Sequence, residues 1–130
     1  MKFLLDANAV ISMLGSNSGV LIQIRRQAPR DVGIPVIAMH ELFCGAYKSR
    51  RQAHNMALLD ALQIEILEFD TEDARQAGEI RAALAAAGRP IGPYDVLIAG
   101  QARARDLVLV THNVGEFSRV DGLRLENWQS

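Results

Sequence analysis

The chain has 130 residues, a formal net charge of −1, and a composition that is 49% hydrophobic and 22% charged. That length suits one domain around one core, and the charge gives no overall positive field that would coat nucleic acid indiscriminately. The single cysteine, Cys44, excludes an internal disulfide and a cysteine-based zinc cage, and its apolar neighbours suggest a small core residue.

Lys2–Leu5 is a short apolar run ending at Asp6-Ala7-Asn8, a turn or cap sequence, and reads as a buried strand. A short helix is expected through Val10–Leu14, then a loop over Gly15-Ser16-Asn17-Ser18-Gly19 and a helix over Val20–Gln27, ended by Ala28-Pro29. Val32–Ile37 reads as a second strand, with Pro35 at or just past its end. Met39–Tyr47 and Gln52–Leu62 read as helices joined by the basic segment Lys48-Ser49-Arg50-Arg51.

Ile64–Leu67 alternates like a third strand. Thr71-Glu72-Asp73 opens an Ala-rich helix with acids in its first turn, running to Gly88 as a C-cap. A stiff loop, Arg89–Pro93, precedes a helix over Tyr94–Arg105. Leu107–Val110 is almost wholly apolar, as in a parallel strand buried on both faces, and Leu123–Glu126 is an edge-strand candidate. The opening Met1-Lys2-Phe3-Leu4-Leu5-Asp6 reaches a charge too early for a signal peptide. No apolar run approaches the ~20 residues that cross a bilayer, so a cytoplasmic protein without a membrane anchor is expected.

Strands alternating with helices imply a parallel sheet covered on both sides. Ligands then bind beyond the carboxyl ends of the strands. Asp6 follows the first strand, Glu41 lies near the start of the helix after the second, and Asp95 opens the helix before the apolar strand. Thr111-His112-Asn113 and Glu116 follow that strand. Grouped carboxylates repel one another, and a divalent cation relieves the conflict. An oxygen donor set suits Mg²⁺ or Mn²⁺, and such a cation serves phosphodiester hydrolysis. Each acid alone has a plainer reading, as a helix cap, a first-turn acid or a loop charge.

Arginine outnumbers lysine twelve to two, and its planar fork fits phosphate oxygens. Lys48, Arg50 and Arg51, with Arg89 and Arg119, are the candidate phosphate contacts among the basic residues. Asn8, Thr111 and Asn113 are the candidates beside the acids.

Four segments in order resemble the PIN-domain toxins of the VapC family. They are Phe3-Leu4-Leu5-Asp6-Ala7-Asn8, His40-Glu41-Leu42-Phe43-Cys44-Gly45-Ala46, Gly88-Arg89-Pro90-Ile91-Gly92-Pro93-Tyr94-Asp95-Val96-Leu97-Ile98-Ala99, and Leu109-Val110-Thr111-His112-Asn113 with Glu116-Phe117-Ser118-Arg119-Val120. The resemblance covers residues 2 to 128. It implies one PIN domain over residues 1–130: a three-layer α/β/α sandwich around a parallel sheet of four or five strands. It implies that Asp6, Glu41, Asp95 and Glu116 are catalytic, with Asp6 and Asp95 binding the metal directly and Glu41 directly or through water. Asn113 stands where many relatives carry an acid, which leaves the fourth charge to Glu116.

The implied activity is a Mg²⁺- or Mn²⁺-dependent endoribonuclease acting on transfer RNA or another structured RNA, leaving a 5′-phosphate and a 3′-hydroxyl. The implied partners are a VapB-like antitoxin and a second copy of the chain. Ile11, Met13, Leu14, Val20 and Leu21 are groove candidates for the antitoxin. Three departures stand out: Ala7 replaces a hydroxyl residue after the first acid, Ile37-Ala38-Met39 offers no hydroxyl to cap the helix of Glu41, and His112 replaces a small polar residue.

Several alternatives carry different marks. A housekeeping PIN nuclease in RNA processing, or a non-catalytic RNA- or partner-binding PIN domain, would share the acids. A receiver domain needs a lysine after its last core strand, and the only lysines are Lys2 and Lys48. A phosphatase with an Asp-x-Asp nucleophile needs an acid at position 8, which is Asn8.

Overall fold

The computed structural model describes residues 1–15 and 18–129. Five strands form one sheet: β1 (Phe3–Leu5), β2 (Val32–Pro35), β3 (Glu65–Leu67), β4 (Val108–Val110) and β5 (Leu125–Glu126). Their order is β3-β2-β1-β4-β5, and every pairing is parallel. Leu4, Leu5, Ile34, Leu109 and Val110 are each at most 1% exposed. Burial on both faces explains why these strands are continuous apolar runs rather than alternating ones.

The chain leaves β1 toward β2 on one side and returns to place β4 on the other. β1 therefore sits at the point where strand order reverses, the place where open parallel sheets form a crevice. Asp6 is the first residue beyond it.

Helix α1 (Ala7–Leu14) packs on α2 (Ser18–Arg25) and α3 (Val36–Lys48), and α3 packs on α4 (Gln52–Asp60). These helices belong to the connections running outward from β1 to β3. Helices α5 (Thr71–Ala86) and α6 (Pro93–Ala104) lie on the return from β3 to β4 and pack on each other. Right-handed crossovers put the two groups on opposite faces of the sheet, which makes the three-layer α/β/α sandwich. Among the described residues, no helix is long and apolar enough to cross a membrane.

The α5–α6 contact is close. A Cβ at Gly100 would fall 2.6 Å from the backbone of Ala77, so only glycine lets these helices approach to this distance. At the far end, buried Asp73 accepts from Arg105 Nη2 at 2.9 Å, and Gln101 Nε2 donates to the Glu68 carbonyl at 2.8 Å. The Asp70–Asp73 capping box starts α5. This network ties the start of α5 to the end of α6 and so fixes α6, whose other end carries Asp95.

Several boundaries differ from expectation. Asp6 caps α1, which starts at Ala7 rather than Val10. Ser18 and Gly19 belong to α2, which ends at Arg25, while Ser16 and Asn17 of the expected loop lie outside the described residues. β2 ends at Pro35, and Val36 and Ile37 begin α3 instead of extending the strand. Pro35 has the extended ψ of 140° at the N-cap position. No side chain caps this end, as the missing hydroxyl foretold. A further short helix, α7 (Val114–Phe117), fills the stretch after β4. Cys44 is exposed rather than in the core; Met39, Leu42 and Ala46 supply the buried face of α3.

Candidate active site

Each acid is placed by a different element. Asp6 leaves β1 in extended conformation and caps α1, its Oδ1 accepting from the Ala9 backbone N–H at 2.8 Å. The carboxylate is 5% exposed. Burial pushes its pKa upward, opposed by a hydrogen bond from the Thr111 side chain, the Ala9 N–H and the charge of His112.

Glu41 stands in the second turn of α3, directly beyond β2. Burial raises its pKa, and the charges of Asp95 and Asp6 raise it further, while His40 opposes them. Its Oε1 is buried without a hydrogen-bond partner. An unpaired buried carboxylate oxygen is costly, and it marks a position where a ligand would complete the site.

Asp95 lies in the first turn of α6, after Pro93 at a helix start whose cap residue, Gly92, makes no side-chain bond. Burial, then Glu116, then Asp6 push its pKa up to about 6. A Cβ at Gly92 would sit 3.0 Å from Asp95 Oδ2, so the backbone approaches this carboxylate closely. Asp6, Glu41 and Asp95 line one cleft of about 150 Å³ with Asn8, Ile11, Leu42 and Ile98. Among the described residues, no three acids, histidines or cysteines converge into a closed ligand set. The carboxylates share a cleft and feel each other's charge without meeting at one point.

Glu116 sits behind Asp95 rather than lining the cleft. Its Oε1 accepts from the Gly92 N–H at 3.1 Å and its Oε2 accepts from Asn113 Nδ2. Arg119 Nη1 donates to the Pro90 carbonyl at 3.0 Å. Glu116, on α7, and Arg119, just after it, fasten the loop ahead of α6 and so hold Asp95 in place. Asn113 and Glu116 thus act as a bonded pair, one supplying charge and the other orienting it.

The expected substrate contacts divide. Asn8 lines the cleft. Thr111 is only 1% exposed; its Oγ accepts from the Asn113 N–H at 3.0 Å while it supports Asp6. A side chain so buried supports the acid from behind. Lys48, Arg50 and Arg51 are exposed at the α3–α4 turn. Lys48 is two helical turns, about 10 Å, along α3 from Glu41, so this basic group lies outside the acidic cleft.

A second cleft of about 410 Å³ adjoins the first and shares Ile11, Glu41 and Leu42 with it. Its remaining walls include Leu14, Ala46, Leu58 and Leu59. Of the groove candidates, Ile11 and Leu14 line it, while Val20 is core at 1% exposure. Leu58 and Leu59 were missed, because α4 carries little helical periodicity that would reveal its apolar side.

The chain matches the PIN domain family over residues 3–123. It is 38% identical to the tRNA(fMet)-specific endonuclease VapC of Shigella flexneri, over 98% of each chain. It is 34% identical to ribonuclease VapC2 of Haemophilus influenzae, again over 98% of each. The VapBC complex of Salmonella typhimurium bound to DNA contains a chain of the same fold, with a TM-score of 0.93 and 37% identity over 98% of both chains.

Proposed function

The chain belongs to the PIN-domain family and, within it, to the VapC ribonucleases of toxin–antitoxin pairs, and on that premise we propose that it is a divalent-metal-dependent endoribonuclease whose centre is the Asp6–Glu41–Asp95 cleft. The observation that carries the reading is the set of three carboxylates raised in pKa around one cleft, one of them with an orphaned buried oxygen. Perturbed acids of this kind mark functional sites.

The donor set is oxygen only and fits a hard cation, Mg²⁺ or Mn²⁺. Asp6 and Asp95 would hold it directly, and Glu41 directly or through water. Such a cation supplies the positive charge that draws in a phosphodiester and eases loss of a proton from the attacking water. Asp6 is fixed by its cap bond and by Thr111, so its carboxylate is pre-oriented. In the metal-free protein, burial, Glu116 and Asp6 push the pKa of Asp95 up to about 6, so cation binding near neutral pH would displace any remaining proton from it. Glu116 and Asn113 keep Asp95 where it stands.

The substrate is transfer RNA or another structured RNA, cut in the cytoplasm. Support comes from the relative of 38% identity, which is named for a transfer RNA. A single-stranded loop suits a small cleft better than a duplex does. The partner is a VapB-like antitoxin, supported by the fold's match to toxins in VapBC complexes. Its apolar segment would lie in the cleft between α1, α3 and α4, where Glu41 at the shared wall favours a cationic side chain of the antitoxin.

Purified protein incubated with total RNA and Mg²⁺ should yield discrete fragments bearing 5′-phosphate and 3′-hydroxyl ends, with none in EDTA. Products ending in a 2′,3′-cyclic phosphate, or equal cutting in EDTA, would contradict the metal-dependent hydrolysis.

A further inference from the structure

Beside the acidic cleft, the His40 and Tyr94 rings pack on each other with centroids 4.9 Å apart and planes inclined by 60°. Each residue immediately precedes an acid, His40 before Glu41 on α3 and Tyr94 before Asp95 on α6. The pair therefore bridges the starts of the two helices that bring those carboxylates together. Both residues are exposed, and Tyr94 keeps 47% of its surface in contact with solvent. Packing on His40 uses only part of the tyrosine ring.

The electrostatics pose a problem that this pair answers. Three carboxylates around one divalent cation leave no excess positive charge for the backbone on either side of the bound phosphate, and a net charge of −1 gives no long-range attraction. Lys48, Arg50 and Arg51 do not line the acidic cleft. A base presents an uncharged face, and stacking on an aromatic ring binds it whatever its sequence. From this placement we propose that His40 and Tyr94 form a stacking platform for an unpaired nucleobase next to the scissile phosphate. The platform positions single-stranded RNA and discriminates against duplex, whose bases are not free to stack on protein. This rests on the nuclease reading above and adds the feature that selects its substrate.

The test uses full-length protein and total bacterial RNA. Ultraviolet crosslinking to the Asp95→Asn chain, followed by peptide mass spectrometry, should place a nucleotide adduct on the segment containing Tyr94 or His40. In otherwise wild-type protein, Tyr94→Leu removes the ring but keeps apolar bulk. It should raise KM about tenfold, the size of one lost base stack, and leave kcat nearly unchanged. Tyr94→Phe should restore the wild-type KM. Matching melting temperatures for the three proteins would exclude a folding defect as the cause. If wild-type protein cuts RNA but no adduct maps to either residue, or Tyr94→Leu retains the wild-type KM, the platform is overturned and the nuclease reading stands. If wild-type protein cuts no RNA, both fall together.

Discussion

Asp95→Asn is expected to lose RNA cleavage by about a thousandfold, the usual scale for deleting one group that stabilises developing charge. Asparagine keeps the shape and the position in the first turn of α6, but it removes a charge that a divalent cation requires. The same substitution should stabilise the protein in EDTA at neutral pH. Burial and the neighbouring Glu116 and Asp6 raise the folded pKa of Asp95 from the ordinary 3.8 to about 6. A raised carboxylate pKa means that the folded state binds the proton more tightly than the unfolded state. The resulting stability is fully present below pH 4 and is lost as the pH climbs through 6. At pH 7 the ionised Asp95 is thus a liability, on the order of 1–2 kcal/mol once solvent screening is discounted. Thermal melts in EDTA should show wild type weakening between pH 4 and 7 and Asp95→Asn weakening less. Cleavage within tenfold of wild type by the variant would remove Asp95 from the centre.

Asp6 separates a structural role from a chemical one. Its Oδ1 caps α1 while its carboxylate faces the cleft. Asp6→Asn retains an acceptor for the Ala9 N–H and should fold normally. Asp6→Ala loses the cap, a change of about 1 kcal/mol. Both should be inactive to about the same degree as Asp95→Asn. Denaturant melts of the two variants at pH 7 should therefore differ, with alanine the less stable, while cleavage assays do not distinguish them. An active Asp6→Asn would show that the residue serves only as a cap.

Much of this arrangement was legible in the residues. Apolar runs such as Leu107–Val110 announced doubly buried strands, and a parallel sheet dictates that the residues after its strands share one edge. Asp6, the region of Glu41 and the stretch from Thr111 to Glu116 followed from that rule, Asp95 was added as an acid at a helix start, and the quoted segments gave these acids their roles. Other features depend on packing that no local pattern reveals. Leu42-Phe43-Cys44 is apolar all round, so the phase of α3 is set by the sheet beneath it, and Cys44 turned outward. Thr111 is as polar as any substrate contact, and only its burial behind Asp6 shows that it supports the acid. Pro35 was seen as the end of β2, but Val36 and Ile37 favour strand by their branching and become helical because the chain must turn at the sheet edge. The His40–Tyr94 pair lies 54 positions apart in sequence, and its signal was that each ring sits one place before an acid.

The most direct test of the central claim is anomalous diffraction from crystals of the wild-type protein soaked in Mn²⁺. A peak within the cleft, ligated by Asp6 and Asp95 and reached by Glu41 directly or through water, is the predicted result. A cleft with no peak in crystals of protein that cuts RNA in Mn²⁺ would contradict it.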